Sequence, residues 1–100
     1  MIVVVFRSRL RAGDTSAYEA TAVRMDELAH QQPGFRSIKT FSAEDGERVS
    51  IVEFDTLEAV NAWRANAEHR EAQRRGRSEF YADYSLQTCE LIREAKFAAE

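Results

Sequence analysis

His69 is the side chain in this sequence best suited to moving a proton, because an imidazole titrates near neutrality and this one shares a helical face with Trp63, Ala72 and Gly76. That face should look into the space between helices and sheet, where an imidazole can act as a base. A histidine there also serves as a boundary residue satisfied by one hydrogen bond. Trp63 offers either a flat wall for an aromatic ligand or plain core filling. Phe80, Tyr81 and Tyr84 fall where the second helical region hands over to the last strand, so the tyrosine phenols can hydrogen-bond a hydroxylated or carbonyl-bearing substrate beside His69. Packing within the sheet or between two copies explains those aromatics equally well.

The remaining charges suggest no second site. Arg70, Arg74, Arg75 and Arg77 alternate with Glu68, Glu71 and Glu79, and Glu71 is expected to pair with Arg75 one turn on, which describes a solvated helix face. Asp26 with Glu27, and Glu44, Asp45 and Glu47, are expected as exposed helix and hairpin charges with no catalytic role. Cys89 stands alone and the two histidines are far apart, so neither an internal disulfide nor a local metal motif is expected, and no metal site is assigned. The sequence has no glycine-rich phosphate loop, nucleotide fingerprint or serine elbow.

The elements that must position these residues follow from apolar spacing and turn residues. A β-branched run opens a first strand over Ile2–Leu10. After Ala12-Gly13, Asp14 or Thr15 caps a helix whose inward stripe is Tyr18, Ala22, Met25 and Ala29, with Leu28 beside it, ending before Pro33-Gly34. Phe35–Phe41 and Arg48–Phe54 form an antiparallel hairpin around Ala43-Glu44-Asp45-Gly46. Asp55 to Glu58 fits a capping box with Asp55 as N-cap, and Ala59, Val60, Trp63 and Ala67 continue as the apolar stripe. A further helical stretch, Glu68 to about Arg77, follows a bend or break near Asn66. The last strand is expected over Tyr81–Ile92, and the core over residues 1–93 with a frayed tail at 94–100.

The order βαββαβ predicts an α+β ferredoxin-like sandwich, with two helices on one face of a four-stranded antiparallel sheet. Alternation puts Ile2, Val4 and Phe6 on one side of the first strand and Val3 and Val5 on the other, and likewise separates Val52 and Phe54 from Val49 and Ile51. Two helices bury only one of these apolar faces, so a homodimer, closed sheet to sheet into an α+β barrel, is expected.

One hundred residues, 44% hydrophobic and 31% charged, suit one domain and one core. A net charge of −3 and a pI near 5.4 disfavour a nucleic-acid partner. The longest apolar run, Met1–Phe6, is far short of the roughly 20 residues of a membrane span and no basic segment precedes it, so a cytoplasmic protein without a membrane partner is expected.

Pro33-Gly34-Phe35, the segment Glu53-Phe54-Asp55-Thr56-Leu57-Glu58-Ala59, and Trp63-Arg64 followed by Glu68-His69-Arg70 together resemble the antibiotic biosynthesis monooxygenase domain family over nearly the whole chain. The resemblance implies a dimeric α+β barrel with a ligand pocket between helices and sheet. In some members it implies cofactor-independent insertion of oxygen into quinol or polyketide-like aromatics. On that reading the partners are a small aromatic substrate and dioxygen, no cofactor is expected, His69 is the base, and Trp63 and Tyr81 position the ring. A related branch binds and cleaves haem with a strand-one Asn, a helix-two Trp and an iron-ligating His about ten residues after that Trp. Trp63 matches, but Gln73 stands at the His position and Ser8 near the Asn position, so haem is the alternative cofactor and haem degradation the alternative activity. A third reading is a small-ligand-binding or stress-related protein without catalysis.

Overall fold

The computed structural model describes residues 1–100. Its elements are β1 (Ile2–Leu10), α1 (Ser16–His30), β2 (Phe35–Ser42), β3 (Arg48–Phe54), α2 (Leu57–Ala65), α3 (Ala67–Arg75) and β4 (Tyr81–Glu90). The four strands form one sheet in the order β2-β3-β1-β4, every neighbour antiparallel. This is the ferredoxin-like βαββαβ arrangement expected from the sequence, with the second helical region in two pieces. No helix is long and apolar enough to cross a membrane.

The register sets the two faces of the sheet. Val4 lies opposite Val52 and Thr88, Phe6 opposite Ser50 and Leu86, and Ser8 opposite Arg48 and Tyr84, all on the face beneath the helices. There Val4, Phe54 and Val60 form a buried cluster against which Ile2, Phe35, Val52, Ala59 and Trp63 pack. Val3, Val5, Arg7, Val49 and Ile51 occupy the opposite face, where no helix lies and Ile51 and the neighbouring Phe41 are exposed.

Three local features depart from the sequence reading. The N-cap of α2 is Thr56, not Asp55: its Oγ1 accepts from the Ala59 N–H at 3.1 Å, while Asp55 is held outward by Arg36 at 2.9 Å. No capping box with Glu58 forms, because the helix starts one residue later than the box requires. β4 ends at Glu90, two residues before the expected Ile92: beyond a single bond from the Leu91 N–H to the Met1 carbonyl the chain has no ladder partner, and Ile92 is 95% exposed. Ala67 does not continue the stripe of α2, because Asn66, with φ −60° and ψ 131°, is extended and turns the chain outward.

Asn66 both ends α2 and starts α3. Its side chain accepts from the His69 N–H at 3.1 Å, a true N-cap. After α3, Gly76–Phe80 forms one wide helical turn closed by the Tyr81 N–H on the Gly76 carbonyl. Gly76 is required there by packing, since a Cβ would lie 2.7 Å from the Tyr81 ring. Arg11, just past β1, fixes the turn by donating to the carbonyls of Tyr81 at 2.9 Å and Arg77 at 2.8 Å.

Candidate functional site

A cavity of about 460 Å³ opens between the helices and the inner face of the sheet, within the range of small-molecule sites. Its floor is the alternating set Phe6 and Ser8 of β1, Arg48, Ser50 and Val52 of β3, and Tyr84 and Leu86 of β4. Tyr18, Ala22 and Met25 of α1 form one wall, Trp63 and Arg64 of α2 and His69 and Gln73 of α3 another, and Arg77, Phe80 and Tyr81 close one end. All five candidates, Trp63, His69, Phe80, Tyr81 and Tyr84, thus line one space.

His69 is placed by the break at Asn66. The cap directs the first turn of α3 back over α2, so the imidazole stacks on the Trp63 indole with centroids 3.9 Å apart and planes 12° apart. Its Nδ1 is 3.0 Å from the Trp63 carbonyl. A carbonyl only accepts, so Nδ1 carries the hydrogen, and in the neutral ring Nε2 keeps its lone pair. Burial lowers the His69 pKa below its ordinary value of 6.5 and the positive charge of Arg64 lowers it further, with the Trp63 carbonyl opposing both. The ring is therefore neutral at pH 7 and able to take a proton. One indole face is occupied by this contact, so Trp63 holds the imidazole in position.

The aromatic end is a connected group. Tyr81 meets Phe6 edge-on at 5.4 Å and Tyr18 at 5.9 Å, and Tyr84 lies 5.8 Å from Tyr81. Burial, reinforced by the Tyr18 phenol, pushes the Tyr81 hydroxyl far above its ordinary value, so it stays protonated as a hydrogen-bond donor. Tyr84 is the more open of the two, at 41% exposure. Phe80 is buried, edge-on to Tyr18 at 5.8 Å and beneath the Arg75 guanidinium at 4.9 Å, and serves as packing at the cavity's end.

The charges expected to be solvated divide. Glu71 pairs with Arg74, not Arg75, because Arg75 reaches forward to Glu79 at 2.8 Å. Asp45 and Glu47 neutralise Arg9 and Arg7, and Glu68 holds Arg24 of α1 at 2.8 Å, which ties α3 to α1. Arg77 is exposed as expected and also borders the cavity, as does the exposed Asp26. Arg48 was missed among the site residues. The signal for it is parity, since it shares the alternation of Val52 and Phe54 and so faces inward on β3.

Ser8 and Gln73, which the resemblance sets near the Asn position and at the iron-ligating His position of the haem-cleaving branch, both line the cavity. An amide is not among the side chains that hold haem iron in that role, so the donor set does not fit haem bound in that branch's manner. No group of three or more His, Cys, Asp or Glu side chains lies close enough to hold a metal ion.

The fold has known counterparts. The chain superposes with a TM-score of 0.82 on Rv0793 from Mycobacterium tuberculosis, at 19% identity over 95% of this chain and 98% of that one. It matches a mutant of SnoaB, a cofactor-independent oxygenase from Streptomyces nogalater, with a TM-score of 0.79 at 16% identity, over 93% of this chain and 94% of that one. These identities carry the fold alone. In sequence, the chain is 35% identical to the uncharacterized protein YqjZ of Bacillus subtilis (strain 168) over 94 residues, 94% of this chain and 82% of that protein. Residues 1–75 match the family model described as antibiotic biosynthesis monooxygenase, three quarters of the chain, and the chain belongs to the antibiotic biosynthesis monooxygenase family.

Proposed function

We propose that the protein is a cofactor-independent monooxygenase acting on a small quinol or polyketide-like aromatic. The observation that carries this reading is the neutral, half-buried His69, with Nδ1 committed to the Trp63 carbonyl and Nε2 free beside an aromatic-lined cavity. Nε2 takes a proton from an acidic C–H or from a phenol of the substrate, giving a delocalised anion. That anion passes one electron to dioxygen, and the resulting pair combines into a carbon-bound peroxide, which His69 protonates. Loss of water leaves a new carbonyl, so one oxygen atom stays in the product, the other leaves as water, and the substrate supplies all the electrons. The protein contributes proton transfer, orientation and exclusion of bulk water. Tyr81 supplies a permanent hydrogen-bond donor, and Tyr84 and Phe80 border the bound ring.

Two copies complete the assembly in this reading. Only 8 of 100 residues are buried in the single chain, and the helix-free sheet face carries Val3, Val5, Val49 and Ile51. Sheet-to-sheet packing with a second copy removes that face from water.

The test is dioxygen uptake by metal-free protein with dihydroxynaphthalene and anthrone-type compounds, with His69→Ala in parallel. Uptake that collapses in the variant is the expected result. Equal rates in both proteins would assign the uptake to autoxidation and remove the oxygenase reading.

A further inference from the structure

The arginines of this chain separate into two groups. Arg7, Arg9, Arg24, Arg36, Arg74 and Arg75 each hold a carboxylate, and Arg11 donates to two backbone carbonyls. Five hold neither: Arg70 and Arg93 are exposed and lie outside the cavity lining, whereas Arg48, Arg64 and Arg77 all line it. The one carboxylate at the cavity is Asp26, an exposed residue whose Oδ2 lies 3.7 Å from His30 on the same helix. In a protein of net charge −3, the cavity is therefore locally positive.

Arg48 is the anchor of this group. Its Nε is buried with no hydrogen-bond partner, and the guanidinium carbon sits 5.4 Å from the centre of the Tyr18 ring. Across the sheet, its neighbours on the inner face are Ser42, Ser8 and Tyr84, which bring hydroxyls and no negative charge. A buried guanidinium nitrogen without an acceptor is costly, and the planar, half-buried group matches a carboxylate with two parallel charge-assisted bonds.

We infer that the cavity selects an aromatic acid, with the carboxylate on the guanidinium of Arg48 and the ring extending between Tyr18, Phe6 and His69. Arg64 and Arg77, nearer the solvent, draw the anion in without fixing its position. The inference deepens the oxygenase reading by naming the substrate class, a carboxylated quinol or phenol, and rests on that reading only for the fate of the ligand.

Isothermal titration with 2-naphthoate and its neutral isostere 2-naphthamide tests it, since neither reacts with dioxygen and binding is read apart from turnover. The parent protein is expected to bind naphthoate at least about tenfold more tightly than naphthamide. Arg48→Gln should remove most of that preference while leaving naphthamide affinity within about twofold, and Arg48→Lys should retain part of it. Equal affinities in the parent, no naphthoate binding at millimolar concentration, or an undiminished preference in folded Arg48→Gln would each overturn the assignment. If Arg48→Gln does not fold, the parent's preference and its partial retention in Arg48→Lys decide. A carboxylate preference without oxygen uptake on carboxylated quinols removes the oxygenase reading and leaves the anion site standing. Uptake without the preference does the reverse.

Discussion

The imidazole of His69 lies flat on the indole of Trp63 and is bound to the backbone carbonyl of the same residue, so one tryptophan fixes the orientation, tautomer and dryness of the candidate base. A single amino acid thereby does what a carboxylate partner does in many acid–base sites, without adding negative charge.

This pairing sets the pH profile of the proposed reaction. Because burial and Arg64 hold His69 below 6.5, kcat/KM should be flat at pH 7 to 8 and fall only under acid conditions, through a pKa lower than 6.5. Steady-state oxygen uptake across this range checks it, with an NMR titration of the His69 ring as the independent reading. An acidic limb centred above 6.5 would contradict the assignment.

The same shift has a consequence for folding. A histidine whose pKa is lowered in the folded state binds protons more readily when unfolded, so its contribution is complete above 6.5 and is lost as pH falls through the folded-state pKa. Urea midpoints should drop as pH falls below 6.5, and His69→Gln should flatten that part of the curve.

Removal of the Asn66 cap should affect stability and chemistry together. Asn66→Ala leaves the His69 N–H without its acceptor and should cost about 1 kcal/mol. Since the same turn aims the imidazole, kcat should fall while the melting temperature drops by a few degrees. Asn66→Asp, which can still cap, should recover most of both.

Gly76→Ala tests the wall of the cavity. Its Cβ would meet the Tyr81 ring at 2.7 Å, and the ring sits against Phe6 and Tyr18, so relief requires shifts in several side chains. A loss of about 1–3 kcal/mol is expected in denaturant unfolding. Gly76→Ala combined with Tyr81→Leu should recover part of the stability.

The helix-free sheet face predicts an assembly. Ile51 and Val5 are cross-strand neighbours at its centre, and Ile51→Lys together with Val5→Lys should give a particle half the mass of the parent in light scattering, with the cavity side untouched. A parent that already runs as a monomer would remove the dimer from the proposed function.

Much of this was legible in the residues themselves. β1 and β3 carry β-branched runs whose ends coincide with the observed strands, and the sequence placed His69 and Trp63 on one side, although the turn at Asn66 and not a continuous helix brings the two rings together. Cap identity was less legible, because Asp55 and Thr56 are adjacent residues that can both cap, with Asp the stronger by preference, and the structure engages Asp55 with Arg36 and leaves Thr56 to cap the helix. The wide turn at Gly76–Phe80 has no periodic signature. Ion-pair choice on α3 depends on rotamers, so the Glu71 partner was set by geometry that spacing leaves open. Strand parity with Val52 and Phe54 puts Arg48 on the inner face, but that it stands among hydroxyls with no carboxylate partner is set by the cross-strand register.

The division at Asn66 makes the helical cover of this protein modular. α2 is anchored by Val60 in the core, whereas α3 buries no residue, caps itself, and is moored to α1 by Arg24–Glu68 and by Arg75 on Thr21. Lengthening, shortening or re-tilting α3 changes the size and lining of the cavity while the sheet and its buried cluster stay as they are. Descendants of such a chain can explore new ligands by editing one nine-residue segment, and laboratory libraries over Ala67–Arg75 that keep Glu68, His69 and Arg75 would sample the same variation with the ties to α1 and the candidate base intact.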